Sequence, residues 1–320
     1  NTVFLQVRPF GDAMYRSDYF PWSYVLTGTE GEDPGYDPLE IMVSKAKEYG
    51  LRTEAWINPY RVRAAYATTP MSAQNPAKQW LDAGTGDALS WNQGVYYNPA
   101  SEKAQELIVN GVREVVQNYD VDGIHFDDYF YPTTDPAFDA ASYQASGSSL
   151  SQADWRRENV NQLIRRVYAA IKEVDPDCIF GISPQGNNRI NYEEQYADTA
   201  LWLSTPGYVD YICPQIYYGY QNSTCPYAET VAQWDDMIQT EGIRLYVGLA
   251  AYKLGQEDTW AGQGKQEWIG TTDLLARMVR TARGAQHYGG VALYPYESLF
   301  PAQPTQQLER ELQNLGMLFH

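Results

Sequence analysis

The sequence predicts an α/β fold, a (β/α)8 TIM-type barrel, and three observations carry that prediction. Short apolar runs alternate with amphipathic stretches along nearly all of the 320 residues. The amphipathic stretches have the length of helical crossovers, which parallel neighbouring strands require. No glycine-rich phosphate loop follows the first strand, where "QVRPFGDAMY" stands, so an open doubly wound sheet is the weaker architecture. Barrels of this kind run to ~250 residues or more as one unit, so residues 1–320 read as a single domain with long loops at 59–98 and 129–154.

In chain order, strands are expected at Thr2–Val7, Arg52–Ile57, Gly123–Phe126, Ile179–Ser183, Tyr211–Ile216, Leu245–Ala250 and Gly290–Tyr294. Helices are expected near Pro38–Tyr49, Ser101–Tyr119, Trp155–Val174, Glu193–Leu203, Ala228–Glu241, Thr272–His287 and Thr305–Leu315. Asp37-Pro38 and Pro99-Ala100-Ser101 are helix starts, while Gly50 and Gly242 stand where a left-handed residue ends a helix. A closed barrel takes eight strands and seven are visible, so the remaining one is expected ahead of Asn1. The opening "NTVFLQVRP" is already a strand without lead-in, which fits a mature chain whose export segment has been removed.

Composition narrows the function. A net charge of −17, with 23 basic residues forming no cluster, repels a phosphate backbone and excludes nucleic acid as a partner. No segment approaches the ~20 continuous apolar residues that span a bilayer. Aromatics reach 14%, led by 27 Tyr and 9 Trp; most fill the core, but their flat faces also suit sugar rings. Cys178, Cys213 and Cys225 show no metal spacing, and the first and second sit in or beside apolar runs as core thiols, a Cys213–Cys225 bridge being the weaker alternative. His125, His287 and His320 are too scattered for a zinc site, so neither metal nor cofactor is expected.

Alternation along each strand assigns faces to the tips. Gln6 and Arg8 share one face; so do Glu54, Trp56 and Asn58; His125 and Asp127; Ser183 and Gln185; Cys213, Gln215 and Tyr217; Ala292 and Tyr294. A single buried polar residue is commonly a satisfied core group. Polar groups gathered at the same end of six strands instead describe the mouth of a barrel, the end at which barrel active sites are built. Buried charges such as Arg8, Glu54 and Asp127 must find a partner, water or a ligand.

"VDGIHFDDYFYP" carries the chemistry. Glycoside cleavage needs one carboxylate at the anomeric carbon and a second acidic group for the leaving oxygen. Asp127 suits the first role, as nucleophile or base, with Arg8 and His125 as neighbours keeping it ionised. For the second, Asp128 is nearest, Glu54 lies deeper on a neighbouring strand and Glu297 follows the last strand; Asp128 could equally anchor the loop.

The stretches "NTVFLQVRPFGDAMYRSDYFPWSYVLTG", "PGYDPLEIMVSKAKEYGLRTEAWINPYRV", "VDGIHFDDYFYP", "DWRRENVNQLIRRVYAAIK", "FGISPQG" and "VDYICPQIYY" together resemble the glycosyl-hydrolase-like 10 family. That resemblance covers nearly the whole chain. It implies a bacterial, exported or lipid-anchored glycosidase-type barrel with one further strand, of the type Arg-Gly-Val-Trp, ahead of Asn1. It also implies carbohydrate hydrolysis, with peptide-free glycan strands of peptidoglycan as one substrate among relatives. "DGIHFD" is similar to the fourth-strand motif of the α-amylase superfamily, which implies that Asp127 is a nucleophile. The same stretch is similar to the chitinase-type "DGIDIDWEYP", but Tyr129 stands where that motif has its acid. "PQIYY" is similar to a sixth-strand motif of that group and implies sugar contacts for Gln215 and Tyr217.

The expectation is therefore an extracellular or cell-envelope glycoside hydrolase acting on an oligosaccharide or polysaccharide. Asp127 and Asp128 are its catalytic pair, and Arg8, Asn58, Tyr60, His125, Gln185, Gln215, Tyr217 and Tyr294 line its cleft. The alternative is a non-catalytic carbohydrate-binding or cell-wall scaffold protein that has lost the acid.

Overall fold

The computed structural model describes residues 1–319, and His320 lies outside them. Ten strands occur among the described residues: β1 (Thr2–Arg8), β2 (Arg52–Ile57), β3 (Arg61–Arg63), β4 (Ala88–Trp91), β5 (Gly94–Tyr97), β6 (Gly123–Phe126), β7 (Ile179–Ile182), β8 (Tyr211–Ile212), β9 (Arg244–Ala250) and β10 (Tyr288–Tyr294). The chain forms two compact units. The first holds residues Asn1–Gly181, Arg189–Trp202 and Gly207–Val209; the second holds Ile182–Asn188, Leu203–Pro206 and the chain from Asp210 onward. β7 is divided between them at its last residue. The seven strands that the sequence predicts are all present, hydrogen-bonded in chain order and joined by helical crossovers, the topology of a (β/α)8 fold.

In the first unit the outward face of the strands is apolar. Ile57, Ile124, Phe126 and Phe180 are fully buried, and the Phe126 and Phe180 rings meet edge to face at 5.1 Å. The helix Glu102–Asn118 begins where the Ser101 hydroxyl accepts the N–H of Ala104, and it buries Ile108, Val112 and Val115. It packs on the long helix Gln152–Val174, whose Leu163, Ile164 and Val167 are equally buried. Each such side chain contributes roughly 1.5–3 kcal/mol on leaving water. The opposite face carries Phe4, Trp56 and His125, whose rings touch: His125 lies 4.3 Å from Phe4 and 6.3 Å from Trp56.

One strand breaks the expected alternation. β1 pairs Gln6 with Trp56 but Arg8 with Ile57, so a bulge at Val7 puts Gln6 and Arg8 on opposite faces. Arg8 therefore points away from the strand tips. Its guanidinium is completely buried over the Phe20 ring at 4.3 Å, among Tyr15, Tyr97 and Glu114. Gly111 is required opposite it, because a Cβ there would come within 3.0 Å of Arg8 Nη1 and 2.3 Å of Phe20. The charge is tolerated as a cation over an aromatic face, with burial pulling its pKa down.

The two long connections carry structure of their own. Residues 59–98 form β3, β4 and β5, an antiparallel sheet in the order β3-β5-β4, together with the helix Pro76–Ala83. Residues 129–154 contain the 3-10 turn Pro136–Phe138 and the short α-helix Ala140–Ser146. Arg156 holds them: its Nε and Nη2 reach the Asp139 carboxylate at 2.9 and 2.5 Å, its Nη2 reaches Asp135 O at 2.8 Å, and its Nη1 reaches Tyr196 Oη at 3.0 Å.

Several predicted elements are shorter than expected: the helix expected near Thr272–His287 spans Leu274–Ala282, and the one expected near Ala228–Glu241 ends at Met237, so Gly242 (φ 92°) does not end it. The run Glu193–Leu203 is broken into Asn188–Glu193 and Thr199–Ser204. Between them Tyr196 adopts φ 54°, held by its ring contacts with Tyr131 and Arg156. β8 stops at Ile212 because Pro214 lacks the N–H a ladder needs.

The second unit supports β8, β9 and β10 with the helices Tyr227–Met237 and Leu274–Ala282. Glu311 caps the latter, accepting the N–H groups of Leu274 and Leu275 at 2.9 and 3.1 Å. All three cysteines are free thiols, so the weaker alternative of a Cys213–Cys225 bridge is not realised. No helix of the described residues is long and apolar enough to cross a membrane.

Candidate active site

Asp127 stands one residue beyond β6, where the strand leaves the core. Its side chain is buried, and both carboxyl oxygens accept hydrogen bonds: Trp56 Nε1 donates to Oδ2 at 3.1 Å and the Tyr129 N–H to Oδ1 at 3.2 Å. The same indole N–H is shared with Asn58 Oδ1 at 3.1 Å, and Asn58 Nδ2 is fixed by Pro9 O at 3.2 Å. The order Asn58, Trp56, Asp127 thus runs from a backbone anchor to a carboxyl, with β2 and β6 as the frame.

Burial is the largest influence on Asp127, and repulsion from the adjacent Asp128 carboxylate is the next; together they push its pKa up to about 8. The Tyr129 N–H, the Arg61 charge and the Trp56 N–H oppose them without prevailing. Asp127 is therefore mainly protonated at neutral pH. Asp128 is buried as well, at 9% exposure.

The expectation that Arg8 and His125 hold Asp127 ionised is thus overturned. Arg8 is turned away by the β1 bulge. His125 does share the Asp127 face, but it is buried between Phe4 and Trp56, and that burial lowers its pKa to about 3. It is neutral over the physiological range, and its ring packs against Phe4 and Trp56. Tyr60 likewise lines no cleft: it is fully buried, edge to face with Phe130 at 6.5 Å. Asn58 is buried and serves Trp56.

Arg61 is a member of the site that strand parity missed, because it lies in β3, beyond the tip of β2. Its Nε donates to Pro9 O at 3.3 Å, and its guanidinium lies over the rings of Tyr129 at 4.0 Å and Phe10 at 5.0 Å. Tyr129, found where the chitinase-type motif has an acid, supplies a ring for Arg61 and an N–H for Asp127. Of the other acid candidates, Glu54 is buried on β2 two residues before Trp56, and Glu297 is exposed in the second unit.

The remaining predicted residues come together in the second unit. Gln185 and Gln215 are bridged in parallel, and Gln215 Nε2 donates to Ser183 O at 3.0 Å. Gly186 makes this approach possible, since a Cβ there would fall 2.4 Å from Gln215 O. Tyr217 and Tyr294 lie nearly parallel, with ring centroids 6.0 Å apart and planes at 11°. Tyr252, not anticipated because "LYVGLAA" has no polar tip, stands edge-on to both at 5.9 and 6.1 Å. Lys253 Nζ fixes this group by donating to Tyr217 O at 2.6 Å and to Asp258 Oδ2 at 2.7 Å. Tyr252 and Tyr294 are 42% and 43% exposed, so they offer open aromatic faces.

The model of one protein family, glycosyl hydrolase-like 10, matches residues 1–263. The chain belongs to the glycosyl hydrolase-like 10 family. It is 35% identical over 309 residues to glycosyl hydrolase YngK of Bacillus subtilis, covering 90% of this chain and 59% of that one. It is 38% identical over 286 residues to glycosyl hydrolase DigH of Escherichia coli K12, covering 80% and 63%. The chain thus spans less than two thirds of the length of these curated relatives.

Solved structures place this glycosyl hydrolase-like 10 chain in the barrel fold. The glycoside hydrolase domain of PgaB (BpsB) from Bordetella bronchiseptica aligns with a TM-score of 0.61 at 14% identity, covering 98% of this chain and 88% of that one. The catalytic domain of β-amylase from Paenibacillus polymyxa aligns with 0.59 at 13% identity, covering 99% and 90%. At such identities the likeness concerns fold alone; the stretch "VDGIHFDDYFYP" lies inside the matched residues 1–263.

Proposed function

We propose that this chain is the catalytic part of a glycoside hydrolase, with Asp127 and Asp128 as its carboxyl pair. The observation that carries the proposal is the state of Asp127: buried at a strand tip, held by two N–H donors and pushed up to about 8 beside Asp128. A carboxyl that keeps its proton at neutral pH can give it to a departing glycosidic oxygen, while an ionised neighbour stabilises positive charge at the anomeric carbon. Asp127 then acts as acid and Asp128 as the charged partner. That division differs from the nucleophile role which the α-amylase likeness implies for Asp127.

The substrate proposed is a bacterial polysaccharide, with peptide-free glycan strands of peptidoglycan as its class, so that the protein works outside the cytoplasm or at the cell envelope. The tyrosines Tyr217, Tyr252 and Tyr294 support a sugar ligand, since stacked and exposed aromatic faces bind pyranose C–H surfaces. The test is turnover of such glycans, followed as release of reducing ends. Asp127→Asn is expected to lower kcat by about 10²–10⁴-fold while the chain stays folded. Full activity in that variant overturns the assignment of Asp127, whereas native protein that binds such glycans without cleaving them leaves the carbohydrate-binding reading in its place.

A further inference from the structure

We propose that Arg61 determines specificity by engaging a carboxylate carried by the substrate sugar; this rests on the glycoside-hydrolase reading of the Asp127 site. Only one of the guanidinium's nitrogens is used by the protein, Nε, which donates to Pro9 O at 3.3 Å. Among the described residues its two terminal amino groups make no hydrogen bond, and the side chain makes no ion pair. The side chain is nevertheless held in place, with its guanidinium carbon over the Tyr129 ring at 4.0 Å and over the Phe10 ring at 5.0 Å. Its charge bears on Asp127, which places it at the reacting pair.

In a chain of net charge −17 carboxylates are plentiful, yet among the described residues the Arg61 guanidinium pairs with none. The Arg156 guanidinium pairs fully, on Asp139. Arg61 instead keeps its paired terminal donors half-buried and unclaimed. A planar fork immobilised by aromatic faces is suited to bidentate recognition of a carboxylate, and a stacked arginine loses little freedom on binding one. A role limited to tuning Asp127 would need the charge but neither the plane nor the free donors. Asp127 itself, being uncharged at neutral pH, does not compete for the fork.

Sugars that carry such a group include C6 uronates and 3-O-lactyl ethers of amino sugars, and the shared chemistry is the carboxylate. The lactyl group is anionic only when no peptide is attached to it, so the same contact would select peptide-free strands.

The experiment compares native protein, Arg61→Met and Arg61→Lys on two series of oligosaccharides, one lactyl-bearing and one uronate-bearing. Each series is supplied with its carboxyl free or amidated. Native protein is expected to prefer the free carboxylate in one series by about 10–100-fold in kcat/KM, expressed mainly in KM. In Arg61→Met that ratio falls toward one. Arg61→Lys, which keeps the charge but loses the fork, retains only a small part of it. The series that shows the preference names the source of the carboxylate.

A ratio near one in native protein for both series, or an undiminished ratio in Arg61→Met, overturns the proposal. If no oligosaccharide is cleaved, the glycoside-hydrolase reading fails separately. Calorimetric binding of the same four ligand types then decides the role of Arg61: a carboxylate preference lost in Arg61→Met upholds it, and equal binding rejects it.

Discussion

Asp127 shows how a residue's chemistry follows from where its backbone leaves a strand. Its neighbours within hydrogen-bonding reach are an indole and an amide, both donors, and these favour the ionised form; burial and Asp128 favour the neutral form more strongly. The balance is adjustable at Trp56. Trp56→Phe removes a donor to the carboxylate, so the Asp127 pKa should rise further. Activity that needs the proton on Asp127 falls as pH rises through about 8 in native protein, and in Trp56→Phe the same alkaline limb should move to higher pH, by about one pH unit or less. A pH profile of kcat/KM for both proteins checks this; a limb displaced to lower pH contradicts it.

At the scale of elements, much of the frame was legible in the sequence because strand and helix periods are local. β2 and β6 occur where the apolar runs end, and the face shared by Trp56 and Asp127 follows from counting by twos. Arg8 was misplaced because a bulge inserts one residue into that count, and nothing in "LQVRPF" marks it without its partner strand. Arg61 and Tyr129 were illegible as a pair because they stack across 68 positions of chain through rings and a guanidinium, which leave no period. The loop after β6 depends on one helix residue. Arg156 and Asp139 are both buried, so Arg156→Met leaves a carboxylate without its cation and should destabilise the fold by about 3–5 kcal/mol. Denaturant unfolding measures this, and a loss below about 1 kcal/mol would mean the pair is dispensable.

At the scale of the whole molecule, the apolar alternation legible along the chain corresponds to two compact units whose strands follow chain order, and the sequence signals no division within β7. Function and stability oppose each other at the centre of the first unit. A carboxyl whose pKa is raised on folding contributes stability that is complete below its unfolded value of 3.8 and is lost as pH climbs through about 8, since over that interval the unfolded chain ionises freely and the folded one does not. Asp127→Asn replaces it with a neutral group of the same shape and removes that dependence.

Equilibrium unfolding of native protein and Asp127→Asn, measured from pH 4 to pH 9, therefore tests the central claim that Asp127 is held uncharged. The account predicts that the variant gains stability relative to native protein as pH rises, by about a few kcal/mol at pH 8, with the difference levelling off above it. A difference that stays constant across the range, or that favours native protein increasingly as pH rises, would show that Asp127 is ionised in the folded state and would contradict the account.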